Sequence, residues 1–274
     1  MRAAELSRQL AWESRHPSVP PLRSLCNCFG LVTERDRSSD KNPVCGIRKI
    51  CLMTTNLILA SQSPRRRMLL RELGLTFTTI AANIDETPQP GEAPDGLALR
   101  LAVAKAAAAA SLCPAEEAAL ILASDTVVAQ GDHILGKPDD AQHAAEMLRQ
   151  LRGAPHVVHT AVCVLNHPAG ERHTRLNSTA VVMRAYSDDE VRAYAATGDP
   201  LDKAGGYAVQ HPEFAPVARL DGCYAGVMGL PLGDVRDLLA EQGIAPPNDI
   251  AAVCTRHAGR FTCCQQSIDR LRAS

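Results

Sequence analysis

Four places in this sequence gather side chains that could do chemistry. The first is Ser61-Gln62-Ser63-Pro64-Arg65-Arg66-Arg67, which lies where a short apolar run feeds a helix start. Unpaired N–H groups and the positive end of a helix favour an anion there. Serine hydroxyls and guanidinium groups add donors with the fork geometry that suits phosphate. An ordinary capped helix with a solvated basic face would read the same way. The second is Ser124-Asp125-Thr126, directly after the apolar run Leu120-Ile121-Leu122-Ala123. This places Asp125 just past the carboxyl end of a strand, where open α/β sheets hold ligands. A carboxylate there can orient a metal ion or take a proton from water, or it can simply form a turn.

The third group is a set of lysines in unusual surroundings. Arg100 and Lys105 are the only charges between Gly96 and Leu112. Lys105 shares a helical face with Leu97 and Leu101, so it either snorkels to solvent or points into a cleft at an anion. Lys137 precedes Pro138 in a loop after a strand. Asp202-Lys203 stands in a flexible loop beside Gly205 and Gly206, which permit close backbone approach. The fourth is the acid pair Asp85-Glu86. With Asp125 it could hold Mg²⁺ or Mn²⁺, which take oxygen ligands and phosphates, or it is a solvated acidic turn. His156 and His159 are three apart in a strand, point to opposite faces and are read as structural. No Gly-x-x-x-x-Gly-Lys phosphate loop and no Ser-His-Asp arrangement is evident.

These groups need elements to position them. Leu57–Ala60 reads as a strand, followed by a helix with Ser63 as N-cap, Pro64 as first residue and Gly74 past its end. Residues 95–112 form an alanine-rich helix. Gln130-Gly131-Asp132-His133 is a turn, and Asp139 or Asp140 caps a helix to about Leu151. Residues 156–166 and 173–186 read as a strand pair. Ser187-Asp188-Asp189-Glu190 is a capping box, and Pro231 opens a last helix that Gly243 follows. Alternating strands and helices around a central antiparallel pair predict a mixed α/β fold.

The 274 residues, 46% of them hydrophobic, suffice for one such domain or two small lobes. A net charge of −1 gives no reason to expect a nucleic-acid polymer or a membrane surface as partner, so an anionic ligand must be held by local basic residues. No apolar run reaches the roughly 18 residues of a membrane span, and residues 1–25 carry charges where a secretory signal would be apolar. A cytoplasmic protein is expected. Residues 1–52 differ from the rest: the pattern changes at Met53, a candidate biological start, with the preceding segment read as upstream readthrough or a disordered arm. Intact mass of the natural protein refutes that by showing residues before Met53. A zinc site from Cys26, Cys28, Cys45 and Cys51 does not match the usual ligand spacing, and free thiols are the simpler reading. The expected organisation is an extension over 1–52, a catalytic domain over 53–243 and a C-terminal extension over 244–274, with a short amphipathic piece around Ile268 to Leu271.

Taken in order, the motifs resemble the Maf family of nucleotide pyrophosphatases. The matching segments are Leu59-Ala60-Ser61-Gln62-Ser63-Pro64-Arg65-Arg66, Ile84-Asp85-Glu86-Thr87, Arg100-Leu101-Ala102 with Lys105-Ala106, Ser124-Asp125-Thr126-Val127, Gly136-Lys137-Pro138, Asp202-Lys203-Ala204-Gly205 and Gly229-Leu230-Pro231-Leu232. The resemblance implies a two-lobed α/β fold with a mixed sheet around a nucleotide-binding cleft, usually a homodimer. It implies hydrolysis of a nucleoside triphosphate to the monophosphate and pyrophosphate with a divalent metal cation, Mg²⁺ or Mn²⁺. It makes Asp125 the proton acceptor and links Arg65, Thr126 and Gln210 to base selection. Ser61, Arg66, Glu86, Lys105, Lys137, Asp202 and Lys203 become the remaining polar lining, with Glu86 and Asp125 at the metal.

The run Asp202-Lys203-Ala204-Gly205-Gly206-Tyr207-Ala208-Val209-Gln210 resembles the branch acting on dTTP and UTP. The 7-methyl-GTP branch usually has Cys at the position of Lys203 and Glu at that of Gln210. Three departures stand out: His211-Pro212-Glu213 where Gly usually follows Gln, Gly226 where Asn is usual, and Asp199 for the common Glu. The alternatives are a non-catalytic regulator of cell division and a protein that holds nucleotides without turnover.

Overall fold

The computed structural model describes residues 56–262. The expectations for 1–52, including the cysteines there, and for Ile268 to Leu271 lie outside the described residues. The elements in chain order are β1 (Asn56–Ala60), α1 (Pro64–Glu72), β2 (Thr78–Thr79), α2 (Pro94–Ala110), β3 (Ala119–Gln130), β4 (His133–Leu135), α3 (Ala141–Leu151), β5 (Pro155–His167), β6 (Arg172–Met183) and α4 (Asp188–Ala196). Two 3₁₀ turns follow (Asp199–Asp202 and Ala204–Gly206), then β7 (Val217–Asp221), α5 (Tyr224–Val227), α6 (Leu232–Glu241) and α7 (Ile250–Ala258).

The strands form one mixed sheet in the order β2-β1-β3-β5-β6-β7, with β4 on β3. β1 runs parallel to β2 and β3, while β3, β5, β6 and β7 pair antiparallel in succession. Alternate side chains of each strand point to opposite faces, and each face carries its own core. On one side Ile58, Ile121, Ala123 and Cys163 pack under α2 through Leu97, Leu101 and Ala102. On the other, Leu59, Leu120, Leu122 and Val162 pack with Leu69 and Leu70 of α1, Leu148 of α3 and Leu238 of α6. The mean alanine-rich character of α2 suits this: small side chains let the helix lie close to the sheet.

The local signals act as expected at several joints. Ser63 caps α1, Asp140 caps α3 and Ser187 with Glu190 forms the reciprocal capping box of α4. Three expectations need correction. The strand containing Leu120–Ala123 does not end before Asp125 but continues to Gln130, because β5 pairs with it residue for residue through Ala129. The strand expected over 173–186 stops at Met183, where a register shift against β7 breaks the ladder. The helix after Pro231 is not the last. α7 follows, capped by Asp249 and burying Ile250, Val253, Cys254 and Ala258 in the α1-side core. It is tied to α1 through Glu72, which meets both Arg256 and His257. No helix among the described residues is long and apolar enough to cross a membrane.

Candidate active site

The site lies at a gap in one edge of β3. β5 covers the other edge continuously. On the gapped edge β1 pairs as far as Ala123, and pairing with β4 begins only at Val128. Ser124 to Val127 therefore face open space where a neighbouring strand would be. Side-chain alternation then sends consecutive residues to different walls. Asp125 follows Ala123 toward the α2 face, while Ser124 and Thr126 follow Leu122 toward the α1 face.

On the α2 wall Asp125 meets Lys105. The Lys105 ammonium lies 2.5 Å from Asp125 Oδ1 and 2.6 Å from Glu86 Oε1, so one cation joins two carboxylates. Lys105 thus resolves its two sequence readings: it points into the cleft. Asp125 is 6% exposed. Burial raises its pKa above the ordinary aspartate value, opposed by the charges of Lys105 and Arg66. Burial also acts to raise Glu86, but the hydrogen bond and charge of Lys105, with Lys137 and Arg66 beyond, outweigh it and leave Glu86 below its usual range. Asp85 turns away, accepting from the Thr87 N–H at 2.9 Å, so only one member of the acid pair joins the site.

On the α1 wall Arg66 donates from Nε to the Gly229 carbonyl (2.8 Å) and from Nη2 to Thr126 Oγ1 (3.2 Å). The Ser124 hydroxyl donates to the same carbonyl at 2.9 Å. Gly229 has φ +107°, and a Cβ there would stand 3.1 Å from Arg66 Nε. The backbone conformation and the close approach both call for glycine. Behind Thr126, Thr160 donates to the Gly226 carbonyl at 2.8 Å and lies 3.0 Å from Thr126 Oγ1. A hydroxyl has one proton. Thr160 has given its proton to Gly226, so it accepts from Thr126, and Thr126 presents a lone pair to Arg66. This chain fixes the guanidinium by directed bonds. Burial lowers the Arg66 pKa, opposed chiefly by Asp125.

The far wall comes from the 3₁₀ turns. Lys203 is 8% exposed, which corrects the reading of a flexible charged loop. Its ammonium contacts the Asp199 carbonyl (2.5 Å), Asp199 Oδ1 (2.9 Å) and Asp202 Oδ1 (2.6 Å). Tyr194 donates to Asp199 Oδ2 at 2.5 Å and accepts from the Ala208 N–H at 3.0 Å, which ties this turn to the segment leading to Gln210. Gly205, at φ +73° and with Val128 Cγ1 3.0 Å from a notional Cβ, lets the turn seat on β3.

These walls enclose a cavity of about 650 Å³ whose lining includes Ser61, Arg65, Arg66, Glu86, Lys105, Asp125, Thr126, Lys137, Asp202, Lys203 and Gln210, but not Arg67, Asp85, Arg100 or Ser124. Sequence reasoning missed Thr160 and Tyr194, while His156, read as structural, is buried with Nε2 2.7 Å from the Tyr207 hydroxyl. His159 lies on the opposite face against Ser178, as its spacing from His156 requires. Among the described residues no group of three or more His, Cys, Asp or Glu side chains is placed to hold a metal ion by itself. A metal here would have to share its shell with a ligand.

The sequence pattern of the Maf-like protein family matches residues 56–242. The chain belongs to that family. Relatives in it extend the match over nearly their whole length. A protein from Pelotomaculum thermopropionicum named dTTP/UTP pyrophosphatase is 44% identical over 187 residues, covering 68% of this chain and 96% of its own. Proteins of the same name from Shewanella oneidensis and Myxococcus xanthus are 44% and 46% identical, over 69% and 70% of this chain and 99% and 95% of theirs. The mixed sheet and its helices are those expected of the family.

Proposed function

We propose that this chain is a nucleoside triphosphate pyrophosphatase that hydrolyses dTTP and UTP to the monophosphate and pyrophosphate. The observation that carries this reading is the convergence of Asp125, Glu86, Lys105 and Arg66 at the gap in β3, inside one cavity lined by the family's motif residues. The relatives' names supply the substrate.

In this reading a water oxygen attacks the α-phosphorus, and the bond from that phosphorus to the α–β bridging oxygen breaks. Pyrophosphate leaves with the bridging oxygen, and the attacking water gives a proton to Asp125. The raised pKa of Asp125 makes it a better proton acceptor near neutral pH than an exposed aspartate. Arg66, Lys105 and Lys137 offset the phosphate charge, and the fixed guanidinium needs no reorganisation as charge develops. Ser61 and the start of α1 add neutral donors.

Asp125 and Glu86 fit a divalent cation. Their oxygens already converge on one positive group, and Mg²⁺ or Mn²⁺ commonly takes one or two carboxylates with phosphate oxygens completing the shell. Bound there, the ion would withdraw charge from the phosphate oxygens. A nucleoside triphosphate substrate supports a cytoplasmic role, and the family resemblance favours a homodimer with no nucleic-acid polymer as partner. Light scattering on the purified chain tests the dimer.

The central test is pyrophosphate release from dTTP, UTP, CTP, 7-methyl-GTP and ATP with Mg²⁺ or Mn²⁺, using wild type and Asp125→Asn. We expect release from dTTP and UTP that the substitution abolishes without unfolding the chain. A folded, fully active Asp125→Asn removes that carboxylate from the mechanism, and preference for 7-methyl-GTP overturns the substrate assignment.

A further inference from the structure

Two parts of the cavity lining are engaged differently. Lys105 meets Asp125 and Glu86, and Arg66 meets Thr126 and the Gly229 carbonyl. On the wall made by the 3₁₀ turns, the buried Lys203 turns its donors inward. An ammonium has three donors, and all three are spent on the Asp199 carbonyl, Asp199 Oδ1 and Asp202 Oδ1. In this geometry no Lys203 donor is left over for a phosphate. Lys203 holds Asp202 in place.

The second Asp202 oxygen remains open. Oδ2 lies 3.8 Å from Arg65 Nη1, beyond hydrogen-bond distance, and the side chain is 65% exposed on the cavity wall. An exposed carboxylate oxygen in the lining can accept from an N–H but not from a phosphate, so Asp202 suits the uncharged part of a nucleotide. Apolar neighbours in the same lining, including Tyr207 and Val209, suit a base face.

The edge of uracil or thymine presents an acceptor, a donor and an acceptor: O4, N3–H and O2. Cytosine presents a donor at N4 and acceptors at N3 and O2. Reading the uracil edge needs a protein acceptor between donors. Among the polar side chains of the lining, Arg65 is a donor only, the Gln210 amide can donate or accept, and the Asp202 carboxylate is the group that can only accept, with one oxygen already held by Lys203. We propose that Asp202 is a specificity-determining residue, accepting a hydrogen bond from N3–H of uracil or thymine through Oδ2 while Lys203 fixes Oδ1. Against cytosine the same oxygen faces the N3 lone pair, which excludes CTP by leaving two acceptors opposed. The inference rests on the nucleotide reading of the cavity given above.

Asp202→Asn tests it. The variant keeps an Oδ1 acceptor for Lys203 and replaces Oδ2 by an amide that can donate to cytosine N3. Two measurements are made on wild type and variant: kcat/KM for UTP and for CTP, and calorimetric binding of UMP and CMP, which does not depend on turnover. A hydrogen bond to a charged group sets the scale. We expect the UTP-to-CTP preference to fall roughly ten- to hundredfold, with CTP turnover rising and the UMP-to-CMP binding ratio falling in parallel. An unchanged ratio overturns the proposal, and so does an equal loss on both bases. A wild type that releases no pyrophosphate from any nucleotide sinks the pyrophosphatase reading instead. In that case the monophosphate ratios still decide the role of Asp202.

Discussion

His156 gives the fold a specific weakness to acid. Its ring is 3% exposed on β5 and packs edge-on against Tyr207, a residue of the cavity lining. Nε2 is satisfied by the tyrosine hydroxyl, but Nδ1 is buried with no hydrogen-bond partner. Protonation would place a charge and an N–H without an acceptor in the core. Burial accordingly pushes the pKa from 6.5 to about 4. The unfolded chain takes up this proton near its ordinary value, and the folded chain does so only near 4. The stabilisation is therefore complete above about pH 6.5 and is lost as pH falls from there toward 4. At pH 5 the loss is about 2 kcal/mol, and the full loss is about 3 kcal/mol. For a domain of this size 2 kcal/mol lowers Tm by roughly 4–8 °C. Urea denaturation at pH 7.5 and pH 5, on wild type and His156→Gln, isolates the contribution. The variant retains a polar partner for Tyr207 but does not titrate, so its stability should fall by about 2 kcal/mol less than wild type between the two pH values. Equal losses in the two proteins would refute the reasoning, because the proton would then be binding elsewhere.

Two further substitutions probe the walls of the site. Lys105→Met removes the cation that holds the Asp125 pKa down, so the acidic limb of the kcat/KM profile should move to higher pH; an unmoved limb would separate that limb from Asp125. Thr160→Val removes one of the donors to the Gly226 carbonyl and the acceptor of the Thr126 proton, which loosens one of the two contacts that orient Arg66. Steady-state assay should show kcat/KM reduced about tenfold, with most of it restored in Thr160→Ser, and equal defects in both variants would point to packing alone.

The legible parts of the fold were those set by local chemistry. Ser63, Asp140 and Ser187 cap where their side chains can reach N–H groups two or three residues on, a relation wholly contained in the sequence. The polar Ser124-Asp125-Thr126 misled because it interrupts an apolar run; only the β5 partner, far along the chain, shows that the strand continues. The cavity residues were legible as charges out of place, helped by motif order. Thr160 and Tyr194 were not, because a threonine in a strand and a tyrosine on a helix are ordinary core residues until their partners are known. Lys203 lines the cavity, but its engagement as a donor depends on how Asp199 and Asp202 fold back on it, which no local pattern shows. α7 had a readable signal in Asp249 followed by Ile250, Val253 and Cys254, which the Pro246-Pro247 break obscured.

The gap in β3 also limits how this site can change. Adjacent residues of one strand supply opposite walls, the acid to α2 and the hydroxyls to α1. Single substitutions there exchange one side chain and leave the others where they were. Inserting or deleting one residue between Ala123 and Val128 would turn the alternation over, presenting a hydroxyl to Lys105 and a carboxylate to the Gly229 carbonyl. Lineages can therefore alter the surrounding loops in length as well as in sequence, while this window of strand can drift only in identity.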